Sequence, residues 1–303
     1  MANSLRTFQG AVVIVTGGAS GIGRALGEAL ARRGASVVVA DRQVDLANEV
    51  AERIRSSGGK AIAEELDVTD FLAMNRLVQS TFLREKRLDY IFNNAGIGIS
   101  GEARLYELDD WYRVLDVNLR GVIHGVQAAY PVMLQQGFGH IVNTSSLAGL
   151  LPSPLAVGYC ATKHAIVGLS LSLRIEAADA GVRVSVLCPG VVRTAALIDG
   201  GKFGKLLQPI PRDSQQRLFD LQRPMSPERF AERALNCIAK NRAIIIVPSW
   251  WRIVWWLYRL SPTLGFCLGA WGRRKYMEIA KKAGTVSATS QSIHVRSQAG
   301  DGN

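Results

Sequence analysis

Ala11-Val12-Val13-Ile14-Val15-Thr16-Gly17-Gly18-Ala19-Ser20-Gly21-Ile22-Gly23 decides the fold. The first six residues are apolar and mostly β-branched, as in a strand covered on both faces of a parallel sheet. The glycines follow at once, and from Arg24 to Arg33 the pattern becomes helical. Glycine at 17, 21 and 23 lets the chain turn tightly, approach a pyrophosphate and pack helix on strand. The helix start then aims free N–H groups and the positive end of its dipole at phosphate. A glycine triplet alone also suits a plain loop; here a strand precedes it and a helix follows. Gly17, Ser20, Gly21, Ile22 and Gly23 are read as dinucleotide contacts.

The next apolar run, 36–40, ends in Asp41-Arg42. A carboxylate at that strand tip accepts hydrogen bonds from the adenosine ribose hydroxyls and repels a 2′-phosphate, whereas Arg42 would attract one. The carboxylate sits where the ribose is expected and Arg42 is free to swing into solvent, so NAD is expected rather than NADP.

Strand-like segments recur near 11–16, 36–40, 61–66, 88–93, 140–145, 182–188 and 243–248, with helical stretches between them that include 109–136 and 155–179. That alternation predicts an α/β fold, a parallel sheet with helices on both faces. With 303 residues, 48% of them hydrophobic, the chain is ample for one large core. Cysteines 160, 188, 237 and 267 lack metal-ligand spacing and read as reduced core thiols, which suits a reducing compartment. With four scattered histidines, no metal site is expected. Residues 1–9 lack an apolar signal-peptide core, so a cytoplasmic location is expected.

Downstream stands Tyr159-Cys160-Ala161-Thr162-Lys163. Side chains four apart on a helix share a face, with their roots about 5–6 Å apart. A free tyrosine has a pKa of about 10, and a fixed ammonium nearby favours the phenolate. The pair thus makes a proton-transfer group suited to alcohol and ketone chemistry, although the same spacing occurs on ordinary amphipathic helices.

Taken together, these motifs resemble the short-chain dehydrogenase/reductase family in its plain, non-extended branch. The likeness covers roughly residues 8 to 248. It includes Asp67-Val68 after the third strand, Asn93-Asn94-Ala95-Gly96 after the fourth, and Asn118 in the next helix. Asn143-Thr144-Ser145-Ser146 closes the fifth strand, and Pro189-Gly190-Val191-Val192-Arg193-Thr194 follows the sixth. The resemblance implies a Rossmann-type doubly wound sheet of seven strands, order 3-2-1-4-5-6-7. It implies Asn118, Ser146, Tyr159 and Lys163 as the catalytic set: Ser146 holds the substrate oxygen, and Tyr159 moves the proton. Lys163 lowers the Tyr159 pKa and binds the nicotinamide ribose, and Asn118 completes a proton path. Asp67 and Val68 would meet the adenine, Asn94 and Gly96 the adenosine ribose, and Val192 and Thr194 the nicotinamide amide. Strand alternation turns Ser145 to the side opposite Ser146.

The expected function is NAD(P)-dependent interconversion of an apolar secondary alcohol and its ketone. The alternative is an NAD-binding redox-sensing or scaffolding protein of the same fold, which loss of the catalytic set would have signalled. Substrate is expected near Ile97, Ile99, Leu147, Leu150, Leu151 and Leu155, with 195–225 as a lid. Arg193, Lys202 and Lys205 are read as solvated charges rather than anchors for an anionic substrate.

The C-terminus departs from the plain pattern. A catalytic domain of 1–248 is followed by a Trp-rich basic appendage, 249–283, and a disordered tail, 284–303. Five of six tryptophans lie between 250 and 271, and residues 252–282 carry seven Lys/Arg against one Glu, a net +6 of the chain's +11. Three readings stand for the appendage: a cap on the substrate pocket or partner subunit, a peripheral membrane contact through 250–282, or a spanning helix. The spanning reading is the weakest, because the eleven residues before Pro262 reach only about 16 Å. Nucleic acid is not an expected partner, since the charge sits beside tryptophans without a binding motif. Relatives of this kind pair through helices corresponding to 109–136 and 155–179, so a homo-oligomer, dimer or tetramer, is expected.

Overall fold

The computed structural model describes residues 4–194, 202–208, 216, 220 and 223–282. Nine strands and nine helices are named in chain order. The sheet strands are β1 Val12–Thr16, β2 Ser36–Asp41, β3 Lys60–Glu65, β4 Tyr90–Asn93, β6 Gly139–Thr144, β7 Val182–Pro189 and β9 Ile244–Val247. Two-residue strands β5 (Ile99–Ser100) and β8 (Lys205–Leu206) form a separate parallel pair. The helices are α1 Gly21–Arg32, α2 Val44–Ser56, α3 Phe71–Glu85, α4 Leu108–Leu115, α5 Gly121–Gln136, α6 Val157–Glu176, α7 Pro227–Ala239, α8 Trp251–Leu260 and α9 Pro262–Lys282.

The seven sheet strands run parallel in the order β3-β2-β1-β4-β6-β7-β9. Setting aside the short β5 and β8, this is the expected doubly wound order. The chain runs outward from β1 through β2 to β3, then returns to β4 on the other side. The crevice between β1 and β4 is therefore a topological switch point, where ligands bind such sheets. All five β1 residues are buried, consistent with a central strand covered on both faces.

Helix ends follow local chemistry. Ser226 accepts from Arg229 N at 3.3 Å ahead of Pro227, and Asp70 accepts from Ala73 N at 3.0 Å, capping α7 and α3. The helical stretch 109–136 is not uniform: α4 passes through a π-helical turn, Asp116–Arg120, before α5. Such turns widen the helix and re-aim side chains. The stretch read from 155 starts at Val157, because Leu155 has a positive φ of 65°.

Cys188 is buried and Cys160 and Cys237 are half-buried, but Cys267 is exposed, which corrects its reading as a core thiol. The appendage is a helical pair. Trp251 and Trp255 of α8 pack on a cluster built from Ile166, Val186, Cys188 and Ile246. α9 then returns past the loops that follow the strands: Arg273 Nη2 lies 3.8 Å from Glu102 Oε1, and Tyr276 Oη donates to the Gln208 carbonyl at 3.3 Å. Among the described residues no helix is long and apolar enough to cross a membrane, which removes the spanning reading. The tail 284–303 and most of the lid 195–225 lie outside the described residues.

Candidate active site

The turn after β1 is organised by Thr16. Its hydroxyl donates to the Phe92 carbonyl at 3.2 Å and accepts from the amides of Asn94 (3.0 Å) and Ala95 (3.1 Å). Asn94 answers by donating Nδ2 to the Thr16 carbonyl at 3.1 Å, so β1 and β4 are tied at the switch point. A Cβ on Gly23 would collide with the Gly17 carbonyl, so only glycine permits this turn and helix start to pack. Gly17 (φ 65°) and Gly21 (φ 53°) occupy left-handed backbone. Ser20 is exposed and makes no capping bond to α1, which leaves its hydroxyl and the first amides of the helix available; Ile22 packs partly on the core. An ideal Cβ at Gly21 would stand 3.2 Å from Thr194 Cγ2, so the segment after β7 folds back over the glycine turn. Val192, buried, pairs with Met225 and helps hold that segment.

Asp41 is buried at the β2 tip. Oδ2 accepts from Ala19 N at 3.0 Å and Oδ1 from Gln43 N at 2.9 Å, leaving acceptor capacity on both oxygens. Arg42 is exposed to solvent, as expected, but is not without partners. Its Nη1 lies 3.6 Å from Asp67 Oδ2, and its guanidinium sits 5.0 Å from the Phe203 ring centroid. Burial pushes the Asp67 carboxyl upward, but bonds from the Thr69 hydroxyl (2.7 Å) and amide (2.9 Å), with Arg42, hold it below the usual range. Val68 is buried beside it, its carbonyl 2.8 Å from His124 Nδ1.

The four expected catalytic residues converge at the carboxyl ends of β4 and β6. Ser146 caps a short 3₁₀ turn, its Oγ accepting from Ala148 N at 3.1 Å. Ser145 points the other way and donates to the Lys163 carbonyl at 2.7 Å. Tyr159 is half-buried against Ile97, Ile99 and Val114, with Phe203 and Leu207 in the same cluster. Lys163 Nζ is buried, donates to the Thr144 carbonyl at 2.9 Å, and lies 5.4 Å from the Tyr159 ring centroid. Asn118, on the π turn, is fully buried and bridges Ile97, accepting from its N at 2.8 Å and donating to its carbonyl at 3.0 Å. An ideal Cβ on Gly96 would lie 3.2 Å from Asn118 Oδ1 and 3.5 Å from Lys163 Nζ, so these atoms face one small space beside the glycine.

The electrostatics depart from the expectation of a depressed phenol. Burial raises the Tyr159 pKa, and the Ser146 hydroxyl works against that rise. Burial also lowers Lys163 to about 8. Desolvation thus penalises both charged forms. The pocket reading needs correction too. Ile97, Ile99 and Leu150 are buried and offer little surface to a substrate, Ile97 and Ile99 packing instead on Tyr159, while Leu147, Leu151 and Leu155 are half-buried. Lys205 is paired with Asp110 at 2.9 and 3.1 Å and Arg193 with Asp220 at 3.1 Å, while both side chains remain substantially exposed to solvent. Thr16, Thr144 and Phe203 join the site beyond the residues expected from the sequence. Only Thr16, a hydroxyl at the end of an apolar strand, carries a signal in the sequence.

The family model described as short chain dehydrogenase matches residues 11–201. The chain belongs to the short-chain dehydrogenase family. As a member it is an oxidoreductase, an alcohol-acting dehydrogenase with a dinucleotide-binding Rossmann fold. The dehydrogenase is 36% identical over 193 residues to the cyclohexanol dehydrogenase of Acinetobacter sp. (strain SE19), covering 63% of this chain and 77% of that one. It is 37% identical over 194 residues to the 2,5-dichloro-2,5-cyclohexadiene-1,4-diol dehydrogenase LinX of Sphingobium indicum, covering 64% and 76%. Among solved structures, a short chain dehydrogenase/reductase from Burkholderia phymatum in complex with NAD superposes with a TM-score of 0.72 at 29% identity, covering 94% of this chain and all of that one.

Proposed function

We propose that this dehydrogenase interconverts an apolar secondary alcohol and its ketone, with NAD as hydride carrier and Tyr159 as the proton-transfer group. The observation that carries the reading is the convergence of Ser146, Tyr159 and Lys163 at one end of the sheet, beside the glycine turn. The residues present fit a dinucleotide: the turn is too tight for any side chain at Gly23, and the Ser20 hydroxyl makes no capping bond to its helix. Asp41 suits an unphosphorylated ribose, and Arg42 is drawn aside by Asp67, which favours NAD over NADP. When bound, the nicotinamide supplies the hydride acceptor or donor.

The chain's own groups do the rest. Ser146 Oγ holds the substrate oxygen, and Tyr159 Oη takes its proton during alcohol oxidation and returns it during ketone reduction. Lys163 is mostly charged at neutral pH, with a pKa of about 8, and its ammonium favours the phenolate as the proton moves. The Thr144 bond uses one of its three N–H donors, leaving two for the nicotinamide ribose. Asn118 holds the Ile97 backbone and faces the same small space as Lys163, the start of a proton path. Asp67, Val68, Asn94, Gly96, Val192 and Thr194 serve as the remaining dinucleotide contacts.

An apolar substrate is favoured because Phe203 and Leu207 share the apolar cluster of Tyr159, while Lys205 and Arg193 already have carboxylate partners. The named activities of the two curated relatives, cyclohexanol and a chlorinated cyclic diol, point the same way. Residues 1–248 form the catalytic unit, 249–283 a Trp-rich basic helical appendage to it, and two copies pair through α5 and α6.

The test is kcat/KM with NAD across cyclic secondary alcohols, sugar alcohols and 2-hydroxy acids. Cyclic alcohols should lead by tenfold or more, about 1.4 kcal/mol of differential binding. Equal rates with sugar alcohols would remove the apolar site.

A further inference from the structure

α8 has two apolar faces. One, with Trp251 and Trp255, is packed on the sheet and α6, and Gly190 leaves no room for a Cβ against the Trp251 indole. The other carries Trp250, Ile253, Trp256, Leu257 and Leu260 at helical spacing, and their exposure runs from 46% (Trp250) to 78% (Leu260). Apart from Arg252 and Arg259 the α8 side chains are apolar or aromatic, a pattern expected where most of the helix surface leaves water. Trp250 is held firmly, stacked on the anchored Trp251 with ring centroids 4.1 Å apart.

Beside Trp250 opens a cavity of about 460 Å³ whose walls include Arg193, Arg223, Arg229 and Arg233. Arg193 is paired with Asp220 at 3.1 Å; among the described residues Arg223, Arg229 and Arg233 make no ion pair. An unneutralised arginine group next to an exposed tryptophan stripe matches one chemistry, phosphate above hydrocarbon. A second copy fits poorly. A two-fold contact would set the same surface against itself, and residues 252–282 carry a net +6.

We propose that the α7–α8 face docks on an anionic phospholipid surface. The α8 stripe enters the interfacial zone, and the arginine-lined cavity takes headgroup phosphate. No helix need span the bilayer, as none of those described can.

The test is co-sedimentation of the full chain with phosphatidylcholine vesicles, with and without phosphatidylglycerol, at low and high salt. The wild type should bind the anionic vesicles, shift its tryptophan emission to the blue, and detach as salt rises. Ile253→Ser with Trp256→Ser should lower partition roughly tenfold or more. Arg229→Gln with Arg233→Gln should lower it roughly tenfold on anionic vesicles only. Both double variants should keep wild-type alcohol oxidation in vesicle-free buffer, which shows that they fold. Failure of the wild type to bind, equal binding to neutral vesicles, or unchanged binding by either variant would overturn the proposal. Inorganic phosphate altering tryptophan emission without any vesicle binding would mark a free-phosphate site instead. Stripe variants that turn a vesicle-indifferent dimer into monomers would mark a second copy as the occupant.

Discussion

Lys163 Nζ lies 5.4 Å from the centre of the Tyr159 ring while donating to the Thr144 carbonyl at 2.9 Å. Its pKa is lowered by burial from 10.5 to about 8. A lysine whose folded pKa is depressed destabilises the fold wherever it is charged, and the penalty is relieved as pH rises from about 8 to 10.5. Replacing Lys163 with Met should therefore raise the stability of the ligand-free enzyme at neutral pH by roughly 1–3 kcal/mol while removing turnover. Urea unfolding at neutral pH and at pH about 10 checks this: the gain should shrink at the higher value. A Lys163→Met protein less stable than wild type at neutral pH would contradict the burial penalty.

His140 gives an acid counterpart. It is fully buried between β4 and β7, with Nε2 2.8 Å from Ser185 Oγ, and burial lowers its pKa to about 3, helped by Arg183 and Arg174. The unfolded chain binds this proton near 6.5 and the folded chain only near 3, so stability contributed by neutral His140 is present above about 6.5 and lost as pH falls between those values. His140→Gln should flatten that acid limb. Unfolding free energies followed from pH 7 to 4 should shift steadily in the variant's favour relative to wild type, whatever the offset at pH 7.

Much of this was legible beforehand, for identifiable reasons. Close backbone approach at 17, 21 and 23 and the four-residue spacing of Tyr159 and Lys163 are local, and local chemistry is written in sequence. What escaped depends on tertiary partners. Arg42 looked free because its acceptor, Asp67, lies on another βα unit. The π turn holding Asn118 has no signature in residues 109–136 that periodicity would detect. Ile97, Ile99 and Leu150 are apolar near the substrate end, and only packing tells a pocket wall from a buried side chain. The sign of the Tyr159 shift likewise depends on how much water the fold removes from its ring.

Coenzyme choice should respond to Asp41. The carboxylate fixes Ala19 and Gln43 and faces the expected ribose position. Asp41→Ser should lower kcat/KM for NAD by roughly 10–100-fold, as expected for losing a charged hydrogen-bond acceptor, and shift the NAD:NADP ratio at least tenfold toward NADP. Initial rates with each coenzyme decide it; an unchanged ratio would place the selecting group elsewhere.

Trp251 ties the appendage to the catalytic sheet through Gly190 and the Val186–Cys188–Ile246 cluster. Trp251→Ala should cost about 3–5 kcal/mol, the usual range for emptying a large aromatic site. Because α9 leans on Glu102 and Gln208, it should also raise KM for the alcohol more than it lowers kcat. Thermal unfolding and steady-state kinetics on the same preparation separate the two effects.

The most direct measurement is alcohol oxidation by Tyr159→Phe, with dinucleotide affinity measured on the same protein. The ring and its packing on Ile97 and Val114 survive the change, and only the hydroxyl is lost. kcat should fall by about 10²–10⁴-fold, the range of general acid–base catalysis, while dinucleotide affinity changes less than about threefold. Turnover within tenfold of wild type would contradict the assignment of proton transfer to Tyr159.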